Sequence, residues 1–153
     1  MNLFLRMFYV LAASFFRPRL PAGQAISELT LLTLPNDLDI NLHVNNGRYL
    51  TLCDLNRVDF FIRTGLARVM LARGWVPIVA EHTMSYRKPL GVFKRFKATM
   101  QLTHWDEKHF FMTHRFSINE KTIAEGTSKG VVRGRGGVIA PADVIAAVLA
   151  TRS

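Results

Sequence analysis

A single cysteine, Cys53, stands among 153 residues, which excludes an internal disulfide and any metal site built from clustered thiolates. With one thiol, a reducing compartment such as the cytoplasm is the simpler setting. No apolar run approaches the roughly 20 residues that a helix needs to cross a bilayer. Acidic side chains are scarce: eleven Asp and Glu against twenty Lys and Arg leave a formal charge of +9. Such a balance draws phosphate-bearing partners, whether nucleic acid, anionic lipid or a phosphorylated cofactor such as coenzyme A. Composition does not choose among them. What is abundant is apolar: 49% hydrophobic residues and eleven Phe fit one domain with a core of its own rather than a disordered chain.

Residues 1–17 read as an amphipathic N-terminal helix. A secretory signal would place its charge before the apolar stretch, whereas here Arg6 interrupts it and Arg17 and Arg19 follow. Packing on the domain, peripheral contact with a membrane interface, and export after Ala12-Ala13-Ser14 all remain open. Residues 18–24, with two prolines and a glycine, form a linker. The main domain is expected over 25–140 and a C-terminal helix over 141–153, opened by Pro141.

Within the domain, Ala25 to Leu34 partly alternates and predicts a first strand. From Asn46 the pattern turns helical, with apolar residues on nearly all sides up to Thr64-Gly65, which marks a buried helix. A shorter helix, Leu66 to Arg73, stops at Gly74. Four strand-like stretches follow: Trp75 to Arg87, Phe93 to Trp105, His109 to Ile118 and Thr122 to Arg133. The last two separators are short and polar, which predicts an antiparallel meander. One strand, a long buried helix, then strands give an α+β plan, a sheet wrapped around a helix.

The densest polar cluster runs from Asp37 to Tyr49, just before the long helix. Asp39, Asn41 and His43 recur at every second position, so an extended segment would turn them to one side. There they could meet the helix N-terminus, whose amides favour an anion or a developing oxyanion. A carboxylate beside such amides suits attack on a carbonyl; a plain helix cap is the competing reading.

The run Asp37-Leu38-Asp39-Ile40-Asn41-Leu42-His43-Val44-Asn45-Asn46-Gly47-Arg48-Tyr49 resembles the signature of hotdog-fold acyl-thioesterases. It is similar to the Asp-x-Asn-x-His-x-Asn-Asn-x-x-Tyr run of acyl-acyl-carrier-protein thioesterases. The wider 4-hydroxybenzoyl-CoA thioesterase-like superfamily carries the Asp and the Tyr at the same separation. The resemblance extends over the order of elements from about Ser27 to Arg133. It implies a hotdog fold, to which the terminal helices are additions, an acyl-CoA or acyl-carrier-protein substrate and at least a homodimer; no cofactor or metal is expected. It further implies that Asp39 is the catalytic carboxylate, as general base or as nucleophile through an anhydride. Asn41 and His43 would position water or carboxylate, and amides near Asn45, Asn46 and Gly47 would polarise the thioester. Tyr49 would pack and orient the helix.

Two departures stand out. Pro89 and Leu90 occupy positions where the carrier-protein enzymes hold an acid and a thiol. Asp54 matches the place where other branches carry an acid on the long helix. A non-catalytic acyl or lipid binder is therefore the alternative function. The basic residues Arg87, Lys88, Lys94, Arg95 and Lys97, with Lys129, Arg133 and Arg135, could share a sheet edge and bind coenzyme A phosphates; a solvated face is the plainer reading. Nucleic-acid binding fits the charge, but no recognised motif supports it. Gly126-Thr127-Ser128-Lys129-Gly130 matches a nucleophile elbow, yet no His follows it, so a strand is expected. Cys53 is expected to be a buried thiol, and His104, His109 and His114 surface or sheet residues without metal-ligand spacing.

Overall fold

The computed structural model describes residues 2–23 and 25–152. Met1, Gln24 and Ser153, at the ends of the expected N-terminal segment, linker and C-terminal helix, lie outside the described residues. In chain order the elements are α1 (Asn2–Ser14), β1 (Ile26–Leu32), a 3-10 turn (Pro35–Asp37), α2 (Asn46–Thr64), α3 (Leu66–Arg73), β2 (Val76–Tyr86), β3 (Arg95–Trp105), β4 (Phe110–Ile118), β5 (Lys121–Gly134), β6 (Gly137–Ile139) and α4 (Pro141–Ala150). Among the described residues no helix is long and apolar enough to cross a membrane.

The strands form one antiparallel sheet in the order β1-β3-β4-β5-β2, with β6 added to β5. Period-two patterning becomes burial directly: Phe110, Met112, His114 and Phe116 of β4 all point inward. The short separators do produce the β3-β4-β5 meander. By contrast, β2 does not neighbour β3 but pairs with β5 from Val76↔Arg133 to Tyr86↔Ala124. The separator before β3 is no hairpin turn, because Leu90 is 1% exposed and its carbonyl accepts from Val44 N (2.8 Å). The chain is drawn across the end of the sheet instead. Gly126 permits the β2–β5 pairing: a Cβ there would lie 1.9 Å from the Thr83 carbonyl oxygen. Gly-Thr-Ser-Lys-Gly is therefore a strand whose first glycine serves close packing.

Helix α2 starts where Asn45 Oδ1 accepts from Gly47 N (2.8 Å) and ends at Gly65, whose φ of 85° is the left-handed geometry glycine tolerates. Leu52, Cys53 and Leu55 are fully buried, as the all-round apolar pattern required. So are charges the pattern did not flag. The Asp59 carboxylate, fully buried, accepts from Ser14 Oγ (2.8 Å), Arg17 Nη1 (2.9 Å), Ser27 Oγ (2.7 Å) and Arg63 Nη1 (3.0 Å). These donors come from α1, the chain following it, β1 and α2 itself. A second buried carboxylate, Asp37, accepts from Nη1 and Nη2 of Arg6 (2.9 and 2.8 Å), from Leu34 N, and pairs with Arg48.

A buried carboxylate is tolerable only when its lone pairs are met, and removing it strands the cations around it. Asp59→Ala is therefore expected to destabilise the fold by about 3 kcal/mol or more and to release α1 first. Urea denaturation and amide exchange across residues 2–20 check this; unchanged exchange there would contradict the assigned role.

Candidate active site

The polar cluster before α2 is a closed turn rather than an extended segment. Leu38 and Val44 bridge, Asp39 N donates to the His43 carbonyl (2.9 Å), and Leu42 N donates to the Asp39 carbonyl (3.1 Å). Leu42 sits at φ 61°. The expected alignment of Asp39, Asn41 and His43 on one side is thus replaced. Asp39 is half-buried at the base of the turn with Oδ1 accepting from Asn41 N (2.8 Å), while Asn41 and His43 are exposed at its tip. An Asx turn competes locally with extended backbone, and here it wins. The turn is pinned to the helix start by Asn45 N donating to the Asp37 carbonyl (2.8 Å).

At that start the Gly47 amide is engaged by Asn45 Oδ1, and the Arg48 amide by the Asn45 carbonyl (2.8 Å). Neither can bind a substrate oxygen until the cap lets go. Asn46 receives the Tyr86 hydroxyl on its carbonyl (2.9 Å). Tyr49, 2% exposed, packs on Tyr86 and Phe116 at ring separations of 5.3 and 5.0 Å. Burial, with Tyr86 beside it, pushes its hydroxyl up to about 12. Tyr49 holds the helix in place and is not a titrating group.

The basic residues divide. Tyr86 reaches Asn46, so Arg87 and Lys88 lie at the helix-start end of the sheet; Arg87 is ion-paired with Glu125 and Lys88 is exposed. Lys94, Arg95 and Lys97 belong to the same end through the β3–β4–β5 register, with Lys97 bound to Glu28 and Glu120 (3.3 Å each). Arg133 and Arg135 are exposed at the other end, ten β2 positions away, about 33 Å along the strand. The single basic edge expected from the sequence is two separate groups within one copy.

Asp54 lies elsewhere again. It stands in the wall of a cavity of about 330 Å3 between α2 and the β2–β5 ladder, otherwise lined largely by apolar side chains such as Phe61, Ile78, Leu102 and Met112. Asp54 is ion-paired with Arg57, and Arg57 Nη2 donates to His82 Nδ1 (3.2 Å). Asp39 is not among the residues lining this cavity.

Behind Arg57 lies a group that sequence reasoning missed. Cys53 Sγ and ring nitrogens of His82 and His114 fall within 4.8 Å of one another, and the two rings stack at 5.0 Å. His114 Nε2 meets Ser128 Oγ at 2.7 Å. The inward parity of Phe110, Met112 and Phe116 was the signal that could have placed His114 inside. Arg57 sets the hydrogen-bonding roles around the trio. Arg57 can only donate, so His82 Nδ1 accepts and the ring proton of the neutral imidazole sits on Nε2. Burial pushes the Cys53 thiol up to about 12, which keeps it a thiol rather than a nucleophilic thiolate. Burial, then Arg57, lowers His82, and burial, then Arg57 and His82, brings His114 down to about 3. The trio is neutral.

Residues 33–149 match the model of the thioesterase-like superfamily. Among curated proteins, the chain is 38% identical over 85 residues to Protein THEM6 of Xenopus laevis, covering 56% of this chain and 41% of the frog protein. It is 27% identical over 136 residues to the Drosophila melanogaster THEM6, covering 88% and 68%. The match thus spans about two fifths of the frog relative's length. Among solved structures, the probable thioesterase YbaW from Escherichia coli superposes with a TM-score of 0.74 at 20% identity, covering 80% of this chain and 96% of that one. The gentisyl-coenzyme A thioesterase BH1999 gives 0.67 at 20%, covering 80% and 98%. These neighbours share the hotdog fold, the architecture expected from the sequence.

His114 couples the fold to pH. Its folded value of about 3 lies below the ordinary 6.5, so between those values the unfolded chain binds a proton that the folded chain refuses. The contribution of His114 to stability is expected to be complete above about pH 6.5 and to fall as pH drops, by about 2 kcal/mol at pH 5. His114→Gln should flatten this dependence in melting curves recorded from pH 7.5 to 5; an equal slope in both proteins would contradict it.

Proposed function

The chain belongs to the thioesterase-like superfamily, and on that premise we propose that it hydrolyses acyl thioesters of coenzyme A or of a carrier protein. The observation that carries the reading is the apolar cavity along α2, on the helix whose N-terminus adjoins the Asp39 turn. The acyl chain lies in the cavity and the thioester carbonyl at the helix start. Asp39 acts there as general base on water, or attacks the carbonyl itself to give an anhydride that water then opens. The positive end of α2 stabilises the oxyanion once the Asn45 cap releases Gly47 N. Arg87 and Lys88, at the same end, meet the phosphates of the leaving coenzyme.

The site is completed by a second copy. Among the described residues, strand β2 ends the sheet with one edge unpaired along eleven residues, and Val76, Ile78 and Val79 are exposed. A long apolar edge is a template for pairing. Antiparallel β2–β2 pairing would bring the second copy's Arg133 and Arg135 towards this copy's Arg87, reuniting the two basic groups around one coenzyme.

A second reading makes Asp54 the reactive carboxylate, favoured by its place in the cavity wall. Acyl-chain length separates the two. Asp54 lies eight residues beyond the start of α2, about 12 Å along its axis. If Asp39 reacts, only chains long enough to reach the cavity gain its apolar surface, so kcat/KM should climb steeply from acetyl-CoA to medium and long chains. If Asp54 reacts, short and aromatic acyl groups should serve as well. Thiol release is measured across such a panel for wild type, Asp39→Asn and Asp54→Asn. The expected result is a loss of about a hundredfold or more for Asp39→Asn and a smaller one for Asp54→Asn. The reverse order assigns the chemistry to Asp54. Bound fatty acyl ligand with no hydrolysis by wild type makes the protein an acyl binder and overturns the enzyme reading.

A further inference from the structure

Helix α1 is apolar on both faces. Its inward face packs Leu3, Met7 and Val10 on the core and is locked there by Arg6, bound twice by buried Asp37, and by Ser14, bound to buried Asp59. Its outward face carries no charge. Phe4 (79% exposed), Phe8 (70%) and Leu11 form one row with Phe15 (70%) in the turn that follows; Leu5, Tyr9 and Phe16 (91%) form the adjacent row. These positions span two neighbouring stripes of an ideal helix. The face cannot roll inward, because rotation would pull Arg6 and Ser14 from buried carboxylates. The segment also lies before residue 33, where the match to the superfamily model begins.

We propose that this face docks on an anionic lipid surface, with α1 lying in the membrane interface and the domain held above it. Two arguments select lipid over a second copy of the chain. First, the face is a ridge about 20 Å long, and a second copy would set another chain of net charge +9 against it, which like-charge repulsion disfavours. A planar bilayer accepts a convex face of that size, and aromatic rings suit the head-group boundary. Second, the charge is complementary: exposed Arg19 follows the apolar rows directly, on a chain of net charge +9, while Arg17 is already held by Asp59. The arrangement would hold the enzyme at the surface where acyl chains partition. The docking itself does not depend on hydrolysis.

Vesicle co-sedimentation of the 153-residue chain tests the proposal, with phosphatidylcholine vesicles beside vesicles containing phosphatidylserine. The expected result is tighter binding to the anionic vesicles, and a drop of about tenfold or more in partitioning for Phe8→Ser/Phe15→Ser. Arg19→Glu should lose the preference for phosphatidylserine while retaining part of the binding. Thioester hydrolysis of free substrate and the melting temperature should stay at wild-type values, since the substituted rings touch solvent. Phe4→Ser/Leu5→Ser gives an independent pair should the first variant fold poorly. Absence of vesicle binding by wild type, or binding indifferent to both pairs, overturns the proposal. So does a fall in solution mass on light scattering with either pair, which would make the face a protein contact.

Discussion

The structure hangs on a carboxylate that water never reaches. Asp59 sits in the middle of α2 and accepts hydrogen bonds from Ser14, Arg17, Ser27 and Arg63. In one interaction the N-terminal helix, the first strand and the central helix are tied together. Because a buried charge must be met by donors of fixed geometry, the position of each of these elements is dictated by the others. Asp37 repeats the device one step along, tying α1 and the start of α2 to the polar turn through Arg6 and Arg48. The turn that presents Asp39 is thus held by charges on either side of it and by the Leu90–Val44 hydrogen bond behind it.

From that frame the functional geometry follows. Helix α2 presents its N-terminus to the Asp39 turn, carries Asp54 and Arg57 at the cavity wall, and buries the neutral Cys53–His82–His114 group behind Arg57. The same charges fix the outward face of α1. The proposed catalytic turn and the outward face of α1 therefore both rest on buried carboxylates, Asp37 and Asp59, that α1 joins.

Much of the fold was legible from the residues. The period-two alternation of β4, the breakers Thr64-Gly65 and Gly74, and Pro141 each mark a boundary that the structure keeps within a residue or two. The polar turn was legible in content but not in shape: alternate spacing implied an extended segment, whereas Asp39 uses its own carboxylate to close an Asx turn. Long-range pairing was hidden as well. Nothing local in Lys88-Pro89-Leu90-Gly91 announces that β2 will cross to β5, because that choice is made by burial of Leu90 and by room at Gly126. Buried charges were the hardest to see, since nothing local to Asp59 and Arg63 on α2 announces the donors Ser14, Arg17 and Ser27, which arrive from distant sequence. His114 fell between these cases, its inward parity visible but its partners not.

The central claim is that an acyl thioester lies along α2 with its carbonyl at the helix start. A crystal structure with a coenzyme A thioether or ketone analogue bearing a long acyl chain tests it most directly. The account requires the chain in the cavity beside Phe61 and Met112, and the carbonyl oxygen within hydrogen-bond reach of the first amides of α2, near Asp39. An analogue bound with its acyl group outside that cavity, or with its carbonyl far from both Asp39 and the helix start, would contradict it.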